Sequence, residues 1–327
     1  MPAHLTPRRC LLILGGVSLL LLLAMLLSLA IGSSSLPLGE VLHSGEAGQA
    51  VRDVIFNLRL PRTLAAVAVG GLLALAGCLQ QVLLRNPLAD PYVLGTSGGA
   101  SVGALLALLL GAGLLLVNLA AALGALATIV IVFLLAGQDH SATQSRLLLT
   151  GVALAAFCGA LSSLLLSMAP DGLLRGMVFW LLGDLSAAPW QWPLLALLGL
   201  LLMALWLAPV LNVMGMGLQS AHSLGLNVHT LRWGVYLLSA AACALAVTSA
   251  GMIGFVGLIV PHALRLLLGQ DLRLLLPAAV LGGALVLLLA DVLARTLLAP
   301  QQLPVGVVMG LIGVPVFLWQ LSRRAAA

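Results

Sequence analysis

The chain has 327 residues, of which 62% are hydrophobic and only 7% are Asp, Glu, Lys or Arg. A soluble domain carries about 25% charged residues, so soluble, disordered and fibrous classes are excluded and a polytopic membrane protein remains. All 14 basic residues are arginine, set against nine acids.

A bilayer core of about 30 Å is crossed by roughly 20 apolar residues in a helix. Ten stretches fit that length in chain order: 11–31, 62–84, 93–110, 114–136, 147–168, 191–208, 233–250, 252–268, 275–294 and 305–321. The first, behind Arg8 and Arg9, has the flanks of a secretory signal. Its apolar run exceeds a signal core, so it reads as a retained span. Outer-membrane barrel strands would alternate over about ten residues, and these runs are unbroken. The predicted fold class is therefore an all-α membrane protein of about ten transmembrane helices, a single transmembrane domain over 1–327. The longest connections, 32–61, 169–190 and 209–232, have room for a short helix or two and no separate core.

An even number of spans puts both termini on one side. With the N-terminus inside, Arg8, Arg9, Arg85, Arg146, Arg232, Arg265, Arg273, Arg323 and Arg324 face the cytoplasm. Arg52, Arg59, Arg62, Arg175 and Arg295 then face out. The excess of arginine inside favours this orientation. Three outer arginines crowd the start of the second span, on the disfavoured side, and need a reason of their own.

The absence of lysine excludes a P-loop, which needs one to reach the β- and γ-phosphates, and also excludes a lysine Schiff base. Cys10, Cys78, Cys158 and Cys243 show no pairing rhythm and read as inert thiols. The six histidines show no paired ligand spacing. Gly95-Thr96-Ser97-Gly98 with His262 matches the short pattern of an intramembrane serine protease, a nucleophile and a base within the membrane. Asp291, inside the run Leu285–Ala294, suits a proton-coupled carrier, or else pairs with Arg295 four residues along the same helical face. The pair is the simpler reading.

Five motifs in order narrow the field: Arg59-Leu60-Pro61-Arg62; Arg85-Asn86-Pro87-Leu88-Ala89-Asp90-Pro91-Tyr92 leading into Gly95-Thr96-Ser97-Gly98-Gly99; Gly254-Phe255-Val256-Gly257-Leu258 with Pro261-His262 and Arg265; Ala290-Asp291 with Arg295; and Leu303-Pro304-Val305-Gly306 with Gly313-Val314-Pro315. Prolines 87 and 91 each remove an amide donor and force an irregular turn. His262, just after Pro261, is expected to end or bend the eighth span. Over almost the whole chain these motifs resemble the FecCD-type permeases, the membrane subunits of ABC importers for ferric siderophores, haem and cobalamin.

The resemblance implies a type II ABC importer permease fold working by alternating access as a homodimer. Two cytoplasmic ATPase subunits would bind ATP and magnesium, and a periplasmic binding protein would deliver the ligand. No cofactor, metal site or nucleic-acid partner is expected for this chain. The resemblance assigns Arg59, Arg62 and Arg295 to docking of acidic residues on the binding protein, a task suited to the planar guanidinium; lipid-headgroup contact, or local pairing with Asp53 and Asp291, is the alternative. It assigns the inner loop over about 209–230 to the ATPase groove, through Leu211, Asn212, Gly215, Gly217, Leu218, Ser220, Ala221, His222, Leu224 and Gly225. Leu218 and His222 stand where the family usually has Glu and Arg. Cytoplasmic gating falls to Asn86, Leu88, Thr143, Gln144 and Ser145, although Asn86 also suits a plain turn before Pro87.

Overall fold

The computed structural model describes residues 7–32, 45–136, 145–216 and 223–325. Among them are twelve α-helices: α1 (Pro7–Ala30), α2 (Glu46–Val54), α3 (Leu60–Leu83), α4 (Thr96–Leu109), α5 (Leu114–Ala136), α6 (Ser145–Ser167), α7 (Asp171–Leu182), α8 (Gln191–Met216), α9 (Val228–Ala250), α10 (Val256–Leu268), α11 (Leu272–Thr296) and α12 (Val305–Ala325). No strand occurs among the described residues. Ten of these helices coincide with the ten apolar stretches; α2 and α7 are the short helices within the long connections.

The centre of the bundle is α3. An apolar helix in a membrane can face lipid or protein, and α3 faces protein, ringed by α8, α9, α10 and α11. Nearly all of its residues from Ala65 to Leu83 are buried. Lipid tails are as apolar as leucine, so close packing and hydrogen bonds must hold such helices together. Two glycine contacts supply the packing. A Cβ on Gly70 would overlap the carbonyl of Gly283 in α11, and one on Gly77 would overlap the carbonyl of Gly257 in α10. Side chains supply the bonds: Ser239 Oγ of α9 donates to the Ala76 carbonyl at 2.9 Å, and Gln81 Nε2 donates to the Leu258 carbonyl at 3.2 Å.

Pro261 does not end α10; the helix runs through it to Leu268. Pro261 has no N–H for the carbonyl four residues back, which is that of Gly257, the oxygen lying against Gly77. Tight contact with α3 holds the turn in place.

Two spans are shorter than expected. At 14 and 13 residues, α4 and α10 rise only about 21 and 20 Å. Each is preceded by irregular backbone, a 3₁₀ turn at Pro91–Leu94 before α4 and the link Gly251–Phe255 before α10. Gly95 (φ 81°) and Phe255 (φ 69°) both sit in the left-handed region where these helices begin. Such backbone survives within a membrane protein only where protein buries and pairs it.

The α8 helix is longer than expected. It passes through Pro209 to Met216, so the connection predicted from residue 209 begins only after α8 ends. Leu211 and Met214 explain the extension, since both are buried in the core.

Candidate functional site

The polar groups gather at the two ends of the bundle and at the meeting of the two irregular segments. At the first end, Asp291 of α11 is fully buried between two arginines. Arg62 reaches it with Nη2 at 2.8 Å and Nε at 2.9 Å, and Arg295 reaches its other oxygen at 3.0 Å. The pair read from the four-residue spacing of Asp291 and Arg295 is therefore present. Arg62 also donates to Gln302 Oε1 at 2.6 Å and lies 3.9 Å from Asp184, while Arg295 donates to Ser28 Oγ at 2.8 Å. Ser28 in turn bonds Thr63 at 2.7 Å. A buried charge must be paired and hydrogen-bonded to be tolerated, and this network ties α1, α3, α11 and the approach to α12 together.

Arg59 has a separate task. Its Nη1 donates to the carbonyls of Leu29 and Ala30 at 2.9 and 2.8 Å. These belong to the last turn of α1, where carbonyls lack intrahelical partners and the dipole favours a cation. The three arginines expected to present guanidiniums outward are thus only 5% (Arg59), 7% (Arg62) and 3% (Arg295) exposed. The physical reason is that Asp291 and the end of α1 have claimed them.

At the opposite end, the proline-rich segment is self-contained. Arg85 adopts a left-handed φ of 49°. The Asn86 side chain accepts the N–H of Leu88 at 3.0 Å, the turn expected before Pro87. Asn86 is exposed and Leu88 half-buried. Asp90 accepts the Tyr92 N–H at 2.8 Å. Burial pushes the Asp90 carboxyl up to about 6, with the Tyr92 N–H pulling the other way. The Tyr92 hydroxyl then bonds both backbone groups of Ile253, in the link before α10.

Of the residues assigned to the ATPase-facing loop, Leu211, Asn212 and Gly215 are on α8. Leu211 is buried core, whereas Asn212 is a clasp. Its Nδ2 donates to Asp271 Oδ1 at 2.7 Å and its Oδ1 accepts the Leu272 N–H at 2.9 Å, joining the end of α8 to the start of α11. Gly225 turns the chain at φ 73°, and Leu224 beside it is exposed. Gly217, Leu218, Ser220, Ala221 and His222 lie outside the described residues, as do Thr143 and Gln144. Ser145, expected in a loop, is the exposed first residue of α6. No cluster of His, Cys, Asp or Glu suited to a metal occurs among the described residues.

Sequence reasoning passed over the roles of Tyr92, Asp184 and Gln302 and the Asn212–Asp271 clasp. Each joins residues far apart in the chain, and no spacing rule carries that signal.

Three comparisons with known proteins bear on this arrangement. The model of the FecCD transport family matches residues 20–323. The vitamin B12 import system permease protein BtuC of Klebsiella pneumoniae is 42% identical over 326 residues, 98% of this chain and 96% of that one. Its counterpart in Salmonella typhi is 41% identical, over 95% and 94%. Among solved structures, a metal-chelate-type ABC transporter in an inward-facing conformation superposes with a TM-score of 0.83 at 35% identity, covering 95% of this chain and 98% of that chain. PsaBC from Streptococcus pneumoniae shares the fold, with a TM-score of 0.57 at 18% identity over 83% and 94%.

Proposed function

The chain belongs to the FecCD transport family and is the permease subunit of an ABC importer, and from that premise we propose that its cargo is cobalamin or a closely related metal chelate. The observation that carries the proposal is the near-full-length identity to permeases of vitamin B12 import. A ferric chelate is the second reading, favoured by the superposition on a metal-chelate-type transporter. The protease and ion-coupled carrier readings fall away with family membership.

The subunit works as one half of a homodimer in the bacterial inner membrane, with both termini in the cytoplasm as the arginine distribution favours. Two ATPase subunits meet the end that carries Arg85 and Gly215. A periplasmic binding protein meets the end that carries Arg59, Arg62 and Arg295. There, Arg62 and Arg295 pair with the carboxylates of Asp184 and Asp291, and Arg59 holds the end of α1. Acidic residues of the binding protein dock over these arginines, which keep their internal partners.

The test is uptake into proteoliposomes holding the permease and its ATPase, supplied with binding protein. ATP-dependent accumulation of labelled cobalamin is the expected result. Accumulation of a ferric siderophore instead would reassign the cargo, and uptake driven by a proton gradient without the ATPase would overturn the importer reading.

A further inference from the structure

At the Arg85 end, an open cleft of about 560 Å³ separates the ends of α3, α8, α10 and α11. Two guanidiniums line it. Arg85 is exposed and holds a strained left-handed backbone. Arg265 is half-buried; its Nη2 makes a long bond to Gln81 Oε1 at 3.4 Å, and its guanidinium also meets the Cys78 thiol. Among the described residues no carboxylate lies within ion-pair distance of either arginine. The acid that shares the cleft, Asp271, is engaged elsewhere: its Oδ1 accepts from Asn212 Nδ2 at 2.7 Å and from the Arg273 N–H at 3.0 Å, at the start of α11 where a carboxylate is stabilised.

We propose that this cleft receives an acidic side chain of the ATPase subunit, gripped between Arg85 and Arg265. A carboxylate is the group that meets both needs at once. It neutralises two guanidiniums that no carboxylate of the described residues pairs with, and it pairs with arginine through two parallel, charge-assisted hydrogen bonds. The cleft has room for the side chain and the turn of backbone that carries it, well beyond a small free anion. A protein partner is favoured over a lipid phosphate because Asn212 and Gly215, on the last turns of α8, form one wall. The cleft thus includes residues of α8 that are assigned to ATPase contact. This inference rests on the importer reading and adds a second contact to it: the ATPase holds the segment after α8, and the permease in return holds an acid of the ATPase.

The experiment measures binding of the ATPase subunit to the full-length permease in nanodiscs, for the wild type, Arg85→Glu and Arg265→Gln, each with its melting temperature. Arg85→Glu is exposed and is expected to melt like the wild type. The expected result is a dissociation constant raised tenfold or more in Arg85→Glu, with a weaker salt dependence, and a smaller loss in Arg265→Gln. An acid-to-arginine substitution at one position of the ATPase should restore binding to Arg85→Glu. Wild-type affinity in both variants overturns the proposal while leaving the importer reading intact. Loss of phosphatidylglycerol binding in Arg85→Glu with ATPase binding unchanged also overturns it, and makes the cleft a lipid site. A wild-type permease that binds no ATPase overturns both readings together.

Discussion

The hydroxyl of Tyr92 accepts the N–H of Ile253 and donates to the Ile253 carbonyl, each at 2.9 Å. One side chain from the turn before α4 thereby satisfies both backbone groups of a residue in the link before α10. The two shortened spans, far apart in sequence, are held to each other where neither is helical.

Replacing Tyr92 by Phe leaves that donor and acceptor unpaired, and an unsatisfied buried group costs about 1–3 kcal/mol. The thermal midpoint in detergent should fall by several degrees. Tyr236→Phe is the comparison, because that hydroxyl makes a single 3.3 Å bond to the Ile129 carbonyl. Its midpoint should fall less, and equal losses would remove the special role of Tyr92.

Asp291→Ala leaves Arg62 and Arg295 buried without their shared carboxylate. Breaking a buried ion pair from one side costs about 3–5 kcal/mol, so the variant should express poorly or melt far below the wild type. Replacing all three residues by apolar ones of similar volume should recover much of the loss, as measured by the same melting curves.

Gly77→Ala forces a methyl group into the Gly257 carbonyl of the neighbouring helix. Overpacking usually costs about 1–3 kcal/mol, and here the obstacle is backbone that cannot rotate away. Gly199→Ala meets nothing within 4 Å and should be neutral. Size-exclusion profiles of the two variants would separate a misassembled bundle from an intact one.

The ten spans are legible from length and composition because any stretch of that apolarity needs lipid or protein around it. The Asp291–Arg295 pair is legible because it is local to one helix. What spacing could not supply is the partner across helices: that Arg62 reaches Asp291 from α3, that Arg59 closes the end of α1, or that Asn212 clasps α11. The end of α8 is misread for a related reason. Pro209 signals a stop by local rules, but burial of Leu211 and Met214 outweighs one missing hydrogen bond.

The carboxyl of Asp90, in the turn between α3 and α4, is raised by burial to about 6 from an ordinary 3.8. The folded chain therefore keeps a proton that the unfolded chain releases. Stability from this group is full below about pH 4 and is lost as pH rises through 6. Asp90→Asn keeps the acceptor for the Tyr92 N–H and has no proton to lose. Its melting temperature should change less than the wild type's between pH 4 and 7, and parallel profiles would rule the effect out.

Backbone-on-backbone seating at Gly70–Gly283 and Gly77–Gly257 leaves no clearance for sliding. Any slip of α10 or α11 along α3 drives a carbonyl oxygen into a neighbouring main chain. These three helices are expected to move as one unit in a transport cycle. A disulfide stapling α3 to α11 should consequently leave the rate of uptake as it was.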